Sequence, residues 1–168
     1  MAPSSNWTEA STIDTGVRVD PKGVYLLLWD QGMPDIFHWG VLISQTDQIG
    51  VLYHQALSGT EWRFVMENKD VSRSAALLVA LKVGHVESVD NIWMQYAKER
   101  IMETKVEKEF RCKNWAMAAI RELADSGIIG LQPDEEKIER IEEEAFLYAK
   151  DCYDMRSRVV YTSAHCVR

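Results

Sequence analysis

Several things are missing from this 168-residue sequence, and each absence excludes a class of protein. No apolar run approaches the roughly 20 residues that a membrane-crossing helix needs. The longest candidate, Val24 to Trp29, has the length of a strand. Residues 1–15 are polar and lack the basic-then-apolar pattern of an export signal. A cytoplasmic location is therefore expected, with the Asn6-Trp7-Thr8 sequon incidental. Cysteine is scarce at three, an odd number, so no complete disulfide framework can form and reduced thiols are expected. Positive charge is in deficit. With 19 Lys and Arg against 26 Asp and Glu the formal charge is −7, which argues against nucleic acid as a partner. Neither His-Glu-x-x-His nor paired Cys-x-x-Cys occurs, so no metal site and no cofactor are expected. No repeat, low-complexity tract or interdomain linker interrupts the chain, and its length suits one core. The expected organisation is a frayed tail over residues 1–15 and a single domain over 16–168.

What is present is ordered in two halves. Short apolar runs bounded by turn residues read as strands: Val24 to Trp29, Phe37 to Ser44, Gly50 to Leu57, Glu61 to Glu67 and Ala76 to Val83. Their short connections predict an antiparallel meander. Helical stripes follow. One runs through Ile92, Trp93, Tyr96, Ala97 and Ile101; a second, opening at Cys112, through Trp115, Ala116, Ala119, Ile120 and Leu123. A third begins near Pro133-Asp134, with Glu135 and Glu136 at the positive end of its dipole. Arg158 to Tyr161 suits a last short strand. Strands first and helices after predict an α+β fold, an antiparallel sheet packed against helices.

Chemistry concentrates in His38, His54 and Cys112. A thiol is a nucleophile only as thiolate, which a helix N-terminus and a proton-accepting imidazole both favour. Cys112 opens the second helix, flanked by Arg111 and Lys113. Strand alternation puts His38, Gly40, Leu42 and Ser44 on one face and Phe37, Trp39, Val41 and Ile43 on the other. Gly40 leaves room beside the His38 ring. With the turn near Asp47, His54 lies at a similar height on the next strand and can fix the tautomer of His38. The remaining histidines, His85 and His165, and the thiols Cys152 and Cys166 read as structural or incidental.

The segments His38-Trp39-Gly40-Val41-Leu42-Ile43 and Gly50-Val51-Leu52-Tyr53-His54 resemble the two-histidine strand pair of the lecithin:retinol acyltransferase-like enzymes. Those belong to the circularly permuted, NlpC-type branch of the papain-like superfamily, in which the His strands precede the Cys helix. Cys112-Lys113-Asn114-Trp115 is similar to the helix-opening segment of that family. A looser similarity is to small fungal proteins with a Cys-x-x-Trp helix. The resemblance implies a permuted papain-like fold with Cys112 as nucleophile, His38 as base and His54 as third polar residue. Arg111 departs from it, standing where the family usually carries Asn.

The expected activity is that of a thiol-dependent hydrolase or acyltransferase. Cys112 would attack an ester, thioester or amide, His38 would shuttle the proton, and a thioacyl intermediate would form. Trp29, Trp39 and Trp115 are the residues expected to contact the substrate, a small acyl or peptide-like molecule. An isopeptidase of the deubiquitinating type is a variant of this reading. The alternative from a different class is a non-catalytic binding module, because histidines on an amphipathic strand and a cysteine on an apolar helix face also serve packing.

Overall fold

The computed structural model of the chain describes residues 13–107 and 109–166. Residues 1–12 of the expected tail lie outside the described residues. Thr15, at its end, is tied down: its amide and hydroxyl both donate to Ser72 O, at 2.8 and 3.1 Å.

The strands are β1 (Gly23–Met33), β2 (Ile36–Ser44), β3 (Ile49–Ser58), β4 (Glu61–Asp70), β5 (Leu77–His85) and β6 (Val159–Thr162). The helices are α1 (Asn91–Met102), α2 (Cys112–Asp125) and α3 (Glu135–Met155). All six strands form one sheet in the order β4-β3-β2-β1-β5-β6. The first four make the expected meander. β5 does not continue beyond β4. It returns to pair with β1 on the opposite side, and β6 then joins β5 in parallel. Having a neighbour on each side, and a covering layer on each face, makes β1 a central strand. Its first seven residues, Gly23 to Trp29, are all buried, as its unbroken apolar run requires.

Two apolar layers sandwich the sheet. On one face Val24, Leu26 and Leu28 of β1 join Phe37, Trp39, Val41 and Ile43 of β2 and Val51 and Tyr53 of β3. The helices cover this face: α2 lies over β2 and β3, α3 over β5 and β1, and α1 packs on α2. Trp115, Ile120 and Leu123 of α2 and Ile141 and Ala145 of α3 complete that core. On the other face Tyr25, Leu27, Trp29, Leu42, Leu52 and Ala80 are covered by Val17 and Val19 from the entering chain and by Val71 from the turn after β4. The segregation of strands and helices gives an α+β domain. Helix caps follow local chemistry. Asp90 accepts from Trp93 N at 3.0 Å, Asp134 accepts from Glu136 N at 3.0 Å, and α3 stops at Arg156 in the left-handed conformation (φ 52°).

Candidate functional site: a buried His-His-Glu chain and a separate thiol

His38 and His54 are brought together. The β2–β3 register pairs Gly40 with His54, so His38 is the diagonal neighbour of His54 rather than its direct opposite. Two rings can bridge that diagonal. Their centroids lie 5.0 Å apart, nearly perpendicular, with His38 Nε2 2.8 Å from His54 Nδ1. His54 Nε2 lies 2.9 Å from Glu67 Oε2 on β4. A carboxylate only accepts, so His54 Nε2–H donates to Glu67, and with a neutral ring its Nδ1 accepts from His38 Nε2–H. The result is a three-member chain running from a partly exposed carboxylate to an imidazole that is 1% exposed. Trp29 lies beside both rings, at 5.4 and 6.4 Å between centroids. Its indole N–H donates to Ser74 Oγ at 2.9 Å. Burial, and after it the neighbouring His54, pushes the pKa of His38 well below its ordinary value. The imidazole is therefore kept neutral.

Gly40 does not hold an open space beside these rings. A Cβ there would meet Leu52 Cδ1 at 3.0 Å, Trp29 Cζ3 at 3.2 Å and His54 Cβ at 3.3 Å. The missing side chain is what allows Trp29 and the histidines to close over the strand.

Cys112 is not brought to this chain. Its sulfur lies on the helix-covered face, where Sγ–H donates weakly to Phe37 O at 3.8 Å. Trp29, beside both imidazoles, belongs to the opposite layer. The backbone of β2 thus runs between the thiol and the His38 ring: Cys112 touches the strand at Phe37 and Trp39, and His38 projects the other way. The α2 start does supply donors. The nearby backbone amides of Trp39, Lys113 and Cys112 favour the thiolate and lower its pKa. Burial outweighs them, and the thiol is raised above its ordinary value. The flanking charges are engaged elsewhere, Arg111 with Glu109 and Lys113 with Glu142.

The three expected substrate-contacting tryptophans are likewise divided. Trp39 and Trp115 pack on the helix face and Trp29 on the other, and none is more than 2% exposed. Cys152 is buried in α3, and Cys166 is half-buried with its sulfur 3.3 Å from Ser163 O. Among the described residues no group of His, Cys, Asp and Glu is placed to hold a metal ion.

A large cleft lies elsewhere, of about 1050 Å³, between the end of α1, α2 and the start of α3. Seven carboxylates line it against the cations Arg100, Lys105 and Arg121. Arg100 pairs with Glu103 and Glu122, and Arg121 with Glu135 and Asp125. Glu107 and Glu139 also face the cleft.

Two members of the buried polar layer escaped the sequence reading, Glu67 and Ser74. Glu67 carried a signal: with Trp62, Phe64 and Met66 on one face of β4, alternation assigns Glu67 to the face of His54. Ser74 carried none, since it lies in a turn whose place under Trp29 depends on the chain returning to β5.

Fold and site together define an α+β domain with a buried imidazole pair and a thiol sequestered from it. The chain belongs to DUF6914, a family of unknown function, whose pattern matches residues 22–158. No curated protein and no solved structure matches it. Among the described residues no helix is long and apolar enough to cross a membrane.

Proposed function

We propose that this domain is a non-catalytic binding module. The observation that carries the reading is the sheet backbone between Cys112 and both imidazoles, with the thiol raised by burial rather than ionised by a base. The order of two His-bearing strands and a helix opening at Cys supports a permuted papain-like scaffold, one whose thiol and imidazoles do not face each other. The His38-His54-Glu67 chain serves to specify the sheet. A buried polar chain is tolerated only where its members satisfy one another, so it fixes the register of β2, β3 and β4.

The ligand surface in this reading is the α1–α2–α3 cleft. Its volume suits a peptide-sized ligand, and its excess of carboxylates selects a cationic one. Glu107 and Glu139 are the groups offered to it.

The test is alkylation and turnover on the same preparation. Cys112 should react with iodoacetamide slowly, with an apparent pKa above the thiol norm of about 8.5. Hydrolysis of an activated acyl ester should be the same for the native chain and Cys112→Ala. An oligolysine peptide should bind, and Glu107→Lys with Glu139→Lys should abolish that binding. Rapid labelling of Cys112 well below its ordinary pKa, together with loss of ester turnover in Cys112→Ala, would replace this reading with the thiol hydrolase.

A further inference from the structure

Among the described residues the sheet ends at β4, a ten-residue strand paired with β3 along its whole length and with no strand on its other side. At the opposite end β6 is only four residues long. Long open edges are hazards that proteins usually blunt. On β4 the side chains form a pattern that is more specific than blunting.

Alternation puts Glu61, Arg63, Val65, Glu67 and Lys69 on the face of the histidines, and Trp62, Phe64, Met66 and Asn68 on the face of the helices. Consider two copies meeting edge to edge, antiparallel, about a two-fold axis normal to the sheet. Facing residues must then lie on the same face, so the axis passes through a residue and not between two. An axis at Val65 opposes Arg63 to Glu67 of the second copy, twice by symmetry, and Val65 to itself. Phe64 faces Met66, and Trp62 faces Asn68. Glu61 also meets Lys69, although Lys69 is only 5% exposed, so the register draws chiefly on the Arg63–Glu67 pair. Every neighbouring register fails. An axis at Arg63 or Glu67 sets that residue against itself. An axis at Phe64 opposes Glu61 to Glu67, and one at Met66 opposes Glu67 to Val65 and leaves Arg63 with no carboxylate opposite. Like charges directly opposite are destabilising.

The backbone agrees. The two-residue turn Gly59–Thr60 closes the β3–β4 hairpin with Ser58 paired to Glu61. Such a closing pair exchanges both hydrogen bonds, so the alternate residues Trp62, Phe64, Met66 and Asn68 turn their N–H and C=O groups away from β3. In the Val65 register these are the residues that face one another across the axis. Met66, 43% exposed, is half-open on the helix side of that edge.

We infer that β4 is a self-complementary docking edge, and that the protein forms a two-fold dimer through it, with one sheet of twelve strands and the helices of both copies on the same face. Arg63 of the second copy lies beside Glu67, the exposed end of the His38-His54-Glu67 chain.

The experiment combines sedimentation with directed crosslinking of the full chain. Val65 faces its own copy as a non-hydrogen-bonded pair, whose Cβ atoms approach within about 4.5–5.5 Å. Under mild oxidation Val65→Cys should give a disulfide-linked dimer much faster than Arg63→Cys or the native chain with its own three thiols. Arg63→Glu should weaken dimerisation by more than about tenfold through repulsion with Glu67. Met66→Pro should do the same by removing an outward N–H, while β4 stays paired with β3 because that amide is not used there. A native chain that sediments as a monomer, with Val65→Cys crosslinking no faster than Arg63→Cys, would overturn the inference. So would a dimer that survives both Arg63→Glu and Met66→Pro unchanged.

Discussion

His38 shows how one residue couples burial to pH. Its ring is 1% exposed and its pKa is held well below 6.5, chiefly by burial and secondarily by His54. The folded protein keeps it neutral, whereas the unfolded chain takes up a proton as pH falls through about 6.5. Its contribution to stability is thus fully present above that pH and is lost below it, by up to about 1.4 kcal/mol per pH unit. Urea unfolding midpoints should decline from neutral pH toward about pH 5, before carboxylate protonation dominates, and His38→Gln should flatten that decline. A slope that persists in His38→Gln would assign it to another group. Cys112 shows the opposite balance at the scale of one atom. Nearby backbone amides favour its thiolate, yet its pKa is still raised, because the desolvation of a thiolate outweighs them.

At the scale of elements, alternation along β2 was legible in the sequence. It assigned Phe37, Trp39, Val41 and Ile43 to one face and His38, Gly40 and Leu42 to the other, as the structure has them. The choice of face for α2 was not legible. An apolar helix stripe minimises free energy by covering the larger apolar surface, and the Phe37–Ile43 row offers more than a row holding His38 and Gly40. That choice parts Cys112 from the imidazoles. Register was legible only to within two residues: the turn at Asp47 placed the histidines level, whereas the pairing Gly40 to His54 sets them on a diagonal. The closeness of these strands is testable at Gly40. Its missing Cβ would press on Leu52, Trp29 and His54 at 3.0 to 3.3 Å. Gly40→Ala should therefore cost about 1–3 kcal/mol by overpacking, read as a lower urea midpoint with unchanged m. A neutral Gly40→Ala would mean that these side chains yield freely.

At the scale of the molecule, protection should follow position in the sheet. β1 and β2 have neighbours on both sides and are covered on both faces, whereas among the described residues β4 pairs on one side only. Amide hydrogen exchange should be slowest in β1 and β2 and faster at the outward amides of Phe64 and Met66. In a dimer joined through β4 those two amides should become protected as protein concentration rises. Equal, concentration-independent protection across the sheet would contradict both expectations.

The sequence by itself determined the class of the domain, the positions of its strands and helices, and which side chains share a strand face, because these follow from local periodicity and turn chemistry. Tertiary structure decided that β5 returns to β1, that α2 lies against the face without histidines, and that Glu67 rather than Cys112 completes the imidazole chain. Those outcomes depend on which surfaces bury most when distant segments meet, a comparison of whole faces that no short window of sequence contains.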